Sequence, residues 1–265
     1  MENDDRPIGQ ILSRRDALKL LGVTSAAVLA GCVPGASDIL TDTPIPTDIL
    51  EATSTPLSAL TTASSIPACI VRPELTEGPY FVDEKINRSD IRSDPSDGSV
   101  KDGLPLQITF RVSQVNDSCA PLEGAIVDIW HCDALGVYSD ASDPSFNTIG
   151  KKFLRGYQVT DANGVAQFTT IYPGWYQGRT VHIHFKIRAD DSAGSTYDFT
   201  SQLFFDDSFS DSVYTLEPYA SKPGTRSPRN DSDNIFGENG EQLTLQLAQT
   251  ADGYAATFDI GLQIS

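Results

Sequence analysis

Basic residues are scarce in this chain of 265 residues. It has 19 Lys and Arg against 36 Asp and Glu, which gives a formal net charge of −17 at pH 7. Because binding to nucleic acid or to anionic lipid requires clustered cations, this charge argues against both partners. Histidine is rarer still, with three in the chain, beside four cysteines and one methionine. After residue 32, no apolar run is long enough to form a bilayer-spanning helix.

The first 66 residues show features of export rather than of a fold. The stretch from Ser13 to Lys19 resembles a twin-arginine motif, and an apolar run follows it. Residues 29–32 resemble a lipoprotein cleavage box, which makes Cys32 the expected lipid acceptor; an ordinary cleaved signal peptide is the alternative. We therefore predict a twin-arginine-type lipoprotein signal at 1–32 and an exported protein, lipid-anchored at the cell envelope or surface.

Residues 33–66 are rich in Ser, Thr and Pro and poor in aromatic residues, a composition typical of a flexible tether. The folded domain is therefore expected at 67–265. Alternating or β-branched segments bounded by turn residues predict its strands, at 106–112, 125–131, 156–160, 165–170, 181–187, 197–205, 243–247 and 254–262. No long helical periodicity appears, and residues 206–240 are predicted as loops with at most one helical turn. The fold class is thus all-β: an antiparallel β-sandwich with long loops and little helix.

Three cysteines, Cys69, Cys119 and Cys132, fall within this domain. An exported chain is expected to form a disulfide, and three pairings are open. No CxxC spacing occurs among them, so we do not assign them as zinc ligands.

Two of the three histidines lie in the alternating segment Val181 to Ile187. His182 and His184 share one face of a predicted half-buried strand, with Cα atoms about 6.6 Å apart, and can converge on one metal ion. From spacing alone the two histidines could bind zinc, copper or no metal at all. His131, next to Trp130, is expected to be structural.

Two tyrosines change the interpretation. Tyr176 and Arg179 precede His182 on the same segment, and Tyr138 follows an earlier strand. A phenol ionises only near pH 10, and a hard trivalent cation such as Fe(III) can displace its proton. Taken one at a time, the tyrosines could equally be amphipathic aromatic residues and Arg179 an exposed ion-pair partner.

At this point the sequence resembles the intradiol ring-cleavage dioxygenases, the superfamily of catechol and protocatechuate 3,4-dioxygenases, in their exported single-domain branch. The resemblance runs from about Cys69 to the C-terminus. The segments that carry it are 76–80, 127–134, 136–138, 153–156, 160–164, 170–176, 178–179 and 182–185. The sequence departs from the family pattern at Gln177, where proline is common.

The resemblance implies an enzyme that uses O2 to cleave a small catechol-type diol between its hydroxylated carbons, giving a cis,cis-muconate-type diacid. It implies one Fe(III) per chain, and an oligomer is possible. Carried over position by position, the metal ligands are Tyr138, Tyr176, His182 and His184. The implied catalytic residues are Arg179 and Tyr176, and the implied substrate-binding residues are Pro79, Tyr80 and Gln202.

A non-catalytic function is the alternative. Residues 121–125, 160–164 and 172–174 also resemble prealbumin-like surface sandwiches that bind carbohydrate or act as spacers. Such modules need neither a tyrosine pair nor a His-x-His segment. A cupin-like site shares His-x-His but expects a nearby Glu, whereas this chain has Lys186 to Asp190 there.

Overall fold

The structure is a computed structural model that describes residues 69–190 and 194–264. The predicted signal, the tether and Cys32 lie outside the described residues. Within the described part of the chain, no helix is long and apolar enough to cross a membrane.

Eleven strands and one α-helix make up the regular structure of this region. The strands are β1 (Pro105–Gln114), β2 (Ala120–Pro121), β3 (Ile126–Trp130), β4 (Ser142–Asp143), β5 (Phe146–Asn147), β6 (Arg155–Val159), β7 (Val165–Ile171), β8 (His182–Asp190), β9 (Thr196–Phe204), β10 (Ala248–Gln249) and β11 (Tyr254–Leu262). The helix α1 spans Asp207–Val213, and 3₁₀ turns span Val115–Asp117, Tyr219–Ser221, Asn230–Ser232 and Gly237–Leu243.

Two sheets form the sandwich. One is ordered β10-β11-β1, with β2 and β7 also paired to β1, and the other is ordered β6-β3-β8-β9. The alternating apolar residues of each sheet face the other sheet, where Phe110 of β1 packs 5.4 Å from Phe185 of β8 between ring centroids. The predicted β-sandwich is therefore confirmed. One pair differs from the antiparallel rule, because β1 and β11 run parallel.

The predicted strand at 243–247 is wrong. Leu243 ends a 3₁₀ turn, and Thr244 makes only an isolated bridge to Phe204. Leu243 and Leu245 are buried, so their alternating pattern reflects core packing without a strand ladder. The short strand β10 lies just beyond them and pairs with β11.

Cys69 and Cys119 form the disulfide, and Cys132 is a buried free thiol. The bond ties the beginning of the described chain to the turn between β1 and β2. This selects one of the three pairings that the sequence left open.

Candidate metal centre

Strand β8 brings two imidazoles together. His182 and His184 alternate with Ile183 and Phe185, which face the sandwich core, so both histidines lie on the opposite face of the sheet. That face was expected to be half-exposed, but loops cover it and both histidines are 1% exposed. The Nε2 atoms of the two rings are 3.0 Å apart.

Both tyrosines reach the same point from loops. Tyr138 lies on the loop that follows β3, and Tyr176 lies on the loop that enters β8. The antiparallel pairing places Trp130, at the end of β3, opposite His184 near the start of β8, so these loops meet at one end of the sheet. The phenol oxygens of Tyr138 and Tyr176 lie 3.4 and 3.2 Å from His182 Nε2.

These separations fit a shared metal ion. Two ligands bonded to one ion at about 2.1 Å, with bond angles between 90° and 110°, lie roughly 3.0 to 3.4 Å apart. In the part of the chain that the structure describes, no group of three or more His, Cys, Asp and Glu side chains could hold a metal. A metal centre here therefore depends on the two phenol oxygens.

Both histidines are held as neutral imidazoles, the form that binds metal. Burial lowers the pKa of His182 and of His184 well below the ordinary value, and the nearby charge of Arg179 adds to the effect, so both rings are neutral. His182 Nδ1 donates a hydrogen bond to the carbonyl oxygen of Thr180 at 2.7 Å, so the lone pair is on Nε2. Trp130 stacks on the His184 ring.

The two tyrosines can ionise at this buried site only if a cation is present. Burial is the main cause that raises the pKa of Tyr138 and of Tyr176 above the ordinary value, whereas Arg179 acts to lower both. A buried phenolate is therefore unfavourable unless a strong positive charge compensates it. A hard, highly charged metal ion supplies such a charge.

Two side-chain hydrogen bonds hold Arg179 beside the four candidate ligands. Its Nε donates to Asp233 Oδ2 at 2.9 Å, and its Nη2 donates to Gln202 Oε1 at 2.7 Å. Gln202 lies opposite His184 in the β8–β9 register, and its Nε2 donates to the carbonyl oxygen of Thr76 at 2.9 Å. The structure thus places two residues predicted from the sequence, Arg179 and Gln202, in direct contact.

The loop before β1 covers the centre from another side. Tyr80 stacks on Tyr138 with ring centroids 4.4 Å apart and donates from its hydroxyl to Asp143 Oδ2 at 2.9 Å. Burial and then this hydrogen bond raise the pKa of Tyr80 to about 12. Pro79 is exposed in the turn next to Tyr80, while Gly78 lies against the His184 ring.

His131 is engaged elsewhere. Its Nδ1 lies 2.8 Å from the Cys132 carbonyl oxygen, and its Nε2 lies 2.7 Å from Thr170 Oγ1. With both nitrogens bonded in the interior, the ring has no nitrogen left for a metal.

Sequence reasoning missed Asp233. It lies in the polar segment predicted as an irregular excursion, 53 residues from Thr180, whose backbone N–H it binds. Among 36 acidic residues no local pattern distinguishes it. Only its long-range hydrogen bonds to Arg179 and Thr180 distinguish it from the other acidic residues.

The fold and the site together define a β-sandwich protein with two phenol oxygens and two imidazole nitrogens gathered at one end of a sheet. Residues 76–263 match the Dioxygenase family. The chain belongs to the intradiol ring-cleavage dioxygenase family.

Solved structures of similar fold include an intradiol ring-cleavage dioxygenase from Tetranychus urticae, with 33% identity, a TM-score of 0.62, and coverage of 74% of this chain and 94% of that chain. The dioxygenase domain of a dioxygenase–carbohydrate-binding protein fusion from Streptomyces sp. SirexAA-E has 28% identity and a TM-score of 0.52. That match covers 74% of this chain and all of the other.

Curated relatives match over a shorter region. A chlorocatechol 1,2-dioxygenase from Pseudomonas sp. (strain P51) is 30% identical over 117 residues, which is 37% of this chain and 43% of the relative. The protocatechuate 3,4-dioxygenase beta chain of Burkholderia cepacia is 32% identical over 109 residues, 37% of this chain and 46% of the relative. The chain thus spans about half the length of the curated relatives it matches.

Proposed function

We propose that this protein is an Fe(III)-dependent dioxygenase that cleaves a catechol-type ring between its two hydroxylated carbons with O2, forming a cis,cis-muconate-type diacid. The observation that supports this most directly is the convergence of two phenol oxygens on His182 Nε2, which itself lies 3.0 Å from His184 Nε2. Relatives named for chlorocatechol and protocatechuate cleavage support the substrate class.

The donor set favours one ferric ion per chain, held by Tyr138, Tyr176, His182 and His184. Two phenolates and two neutral imidazoles supply two negative charges, which suit a hard trivalent ion better than a soft divalent one. The bound iron would act as a Lewis acid that favours the doubly deprotonated catechol and activates it toward O2.

The surrounding residues bind the substrate and move its protons. Tyr176 is the less buried of the two tyrosines, and its phenol oxygen accepts one of the two catechol protons as the substrate enters, while the other proton passes to water. A tyrosine phenolate, whose conjugate phenol ionises near pH 10, is a strong enough base for this step. Arg179 stabilises the negative charge that develops on the ring carbon. Gln202, Pro79 and Tyr80 line the substrate side, with Tyr80 anchored through Asp143.

O2 uptake with a panel of catechols tests this function. The iron-loaded wild type should consume O2 and show the red colour of tyrosinate bound to ferric iron. The variants Tyr176→Phe and His184→Ala should lose turnover, and Tyr176→Phe should also change the colour. The matched control is Tyr197→Phe, at the far end of β9 opposite Ala189, which should behave as the wild type.

Two results would reject the assignment. Unchanged turnover in both site variants would show that the cluster is not catalytic. A colourless, inactive protein that is replete with iron would instead favour the non-catalytic surface module.

We also propose that the chain is exported and anchored by a lipid on Cys32. The disulfide between Cys69 and Cys119 supports an oxidising compartment. Expression of the full chain in a bacterial host should place it in the membrane fraction, and Cys32→Ser should release it. Equal membrane association of both forms would reject the anchor.

A further inference from the structure

We propose that Asp233 is a positioning residue for Arg179, so that the segment 230–236 forms part of the active site. Asp233 is 4% exposed. Its Oδ2 accepts hydrogen bonds from Arg179 Nε at 2.9 Å and from the Thr180 backbone N–H at 2.7 Å. Because Arg179 has a catalytic role only if a catechol is cleaved here, this assignment rests on the proposed function.

The carboxylate is fixed at both oxygens. Asp233 Oδ1 accepts from the backbone N–H groups of Ile235 and Phe236 at 2.8 and 2.9 Å. Burial alone would raise the pKa of Asp233, but the charge of Arg179 and these hydrogen bonds outweigh it, and the pKa lies below the ordinary value. Asp233 is therefore an anion whose orientation is set before any substrate binds.

The segment that carries Asp233 is itself anchored to the strands of the site. Asn230 accepts a hydrogen bond from the Thr180 hydroxyl through its Oδ1 and donates from Nδ2 to the Phe205 carbonyl oxygen at 2.8 Å. Phe236 packs on Phe204 at the end of β9, with ring centroids 5.0 Å apart. These contacts fix the Asp233 carboxylate relative to β8 and β9.

Two hydrogen bonds then determine how the guanidinium of Arg179 lies. Asp233 holds Nε and Gln202 holds Nη2, and together they fix the plane and its rotation. Gln202 lies opposite His184 in the β8–β9 register, so its contact with Nη2 places the guanidinium next to the centre. With Gln202 alone, the group would rotate about a single contact. A displacement of about 1 Å at a reacting site can lower the rate about 10²-fold.

The variant Asp233→Asn tests the proposal, since it keeps the side-chain shape but replaces an acceptor of Arg179 Nε. Its matched control is Asp211→Asn, the same change elsewhere in the polar segment 206–240. This control removes ion pairs to Arg226 and Arg229 and does not touch Arg179. In iron-loaded protein, we expect Asp233→Asn to lower kcat on catechol about 10²-fold while iron content and the tyrosinate absorption stay unchanged. We expect Asp211→Asn to keep the wild-type kcat.

A double-mutant cycle shows whether the effect passes through Arg179. In an Arg179→Ala background, Asp233→Asn should cause no further loss. An equal loss in both backgrounds overturns the proposal. A wild-type kcat in Asp233→Asn also overturns the proposal. If Asp233→Asn does not fold, Asn230→Ala takes its place, because it removes hydrogen bonds that anchor the segment 230–236, and a wild-type kcat in that variant overturns the proposal.

A readout without turnover separates this proposal from the proposed function. The Nε–H proton of Arg179, bonded to a buried carboxylate, should exchange slowly with solvent in nitrogen-15 NMR of the wild type, and much faster in Asp233→Asn. If the wild type cleaves no catechol, the proposed function fails while this exchange still decides whether Asp233 fixes Arg179. Equal exchange in wild type and Asp233→Asn overturns the positioning role.

Discussion

Trp130 lies flat against His184, with ring centroids 5.0 Å apart and ring planes that differ by 6°. The two residues are directly opposite each other in the β3–β8 register. His184 Nδ1 has no hydrogen-bond partner among the described residues, whereas His182 Nδ1 is bonded to the Thr180 carbonyl. Stacking on Trp130 therefore takes the place of the usual hydrogen bond in orienting His184.

Replacing Trp130 should therefore weaken iron binding. We expect Trp130→Leu to lower the affinity for ferric iron about 10- to 100-fold, the usual effect of losing a group that orients a metal ligand. Competition with a chelator measures this. Phe110→Leu is the control, because Phe110 is buried in the core and its ring contacts are Phe168, Phe185 and Phe258. It should lower stability but not iron affinity; equal affinities in the two variants would contradict the prediction.

Two separate features of the structure oppose a side chain at Gly78. Its φ is +73°, and an added Cβ would lie 3.0 Å from His184 Cε1. Gly98 has nearly the same φ, +75°, but an added Cβ there has no neighbour within 4 Å. Both alanine variants should lose about 1–2 kcal/mol of unfolding free energy from the left-handed backbone. Only Gly78→Ala should also disturb the metal centre.

The comparison of these two variants is made by denaturant unfolding and by the tyrosinate absorption band. A change of the band in Gly78→Ala but not in Gly98→Ala would show that the close approach matters. The same spectrum in both would mean that the loop moves aside without disturbing His184.

The pairing of the histidines could be predicted from sequence because a period of two determines which face of a strand each residue occupies. The alternation at 181–187 thus predicted that His182 and His184 share a face. No comparable rule places a loop residue in space. Tyr138 and Tyr176 could be assigned only through the resemblance to a family, and their distances to His182 came from the structure.

The same reasoning explains the errors. Leu243 and Leu245 alternate as in a strand, yet the chain there forms a 3₁₀ turn, because burial of alternate residues does not require a ladder. The prediction of at most one helical turn in the polar segment 206–240 is too low, because α1 spans seven residues and 3₁₀ turns follow it. Asp233 in this segment contacts Arg179 across the fold, and local composition does not encode such a contact.

The disulfide should contribute strongly to stability. Cys69 and Cys119 are 50 residues apart, and closing a loop of this length in the unfolded chain stabilises the fold by up to roughly 4 kcal/mol. We expect Cys69→Ala/Cys119→Ala to lower the free energy of unfolding by this amount in urea denaturation. Reducing agent should destabilise the wild type in the same way and leave the double variant unaffected. A wild-type midpoint unchanged by reduction would contradict the prediction.

His131 should make stability depend on pH in the mildly acidic range. Burial lowers its pKa from 6.5 to about 4, although the Cys132 carbonyl oxygen and the charge of Asp133 act in the opposite direction. Above pH 6.5 the ring is neutral in both the folded and the unfolded chain and has no effect on pH dependence. Between pH 6.5 and 4 the unfolded chain binds a proton that the folded chain does not, so stability falls as the pH falls.

The expected loss reaches roughly 3 kcal/mol near pH 4, since each unit of pKa shift corresponds to about 1.4 kcal/mol. His131→Gln removes the titrating ring while keeping a polar group that can reach Thr170 Oγ1. Urea unfolding of both proteins between pH 4 and 7.5 measures the difference in their free energies of unfolding. That difference should be constant above pH 7 and should shift in favour of the variant as the pH falls. A difference independent of pH would mean that the buried ring takes up a proton as readily as it does in the unfolded chain.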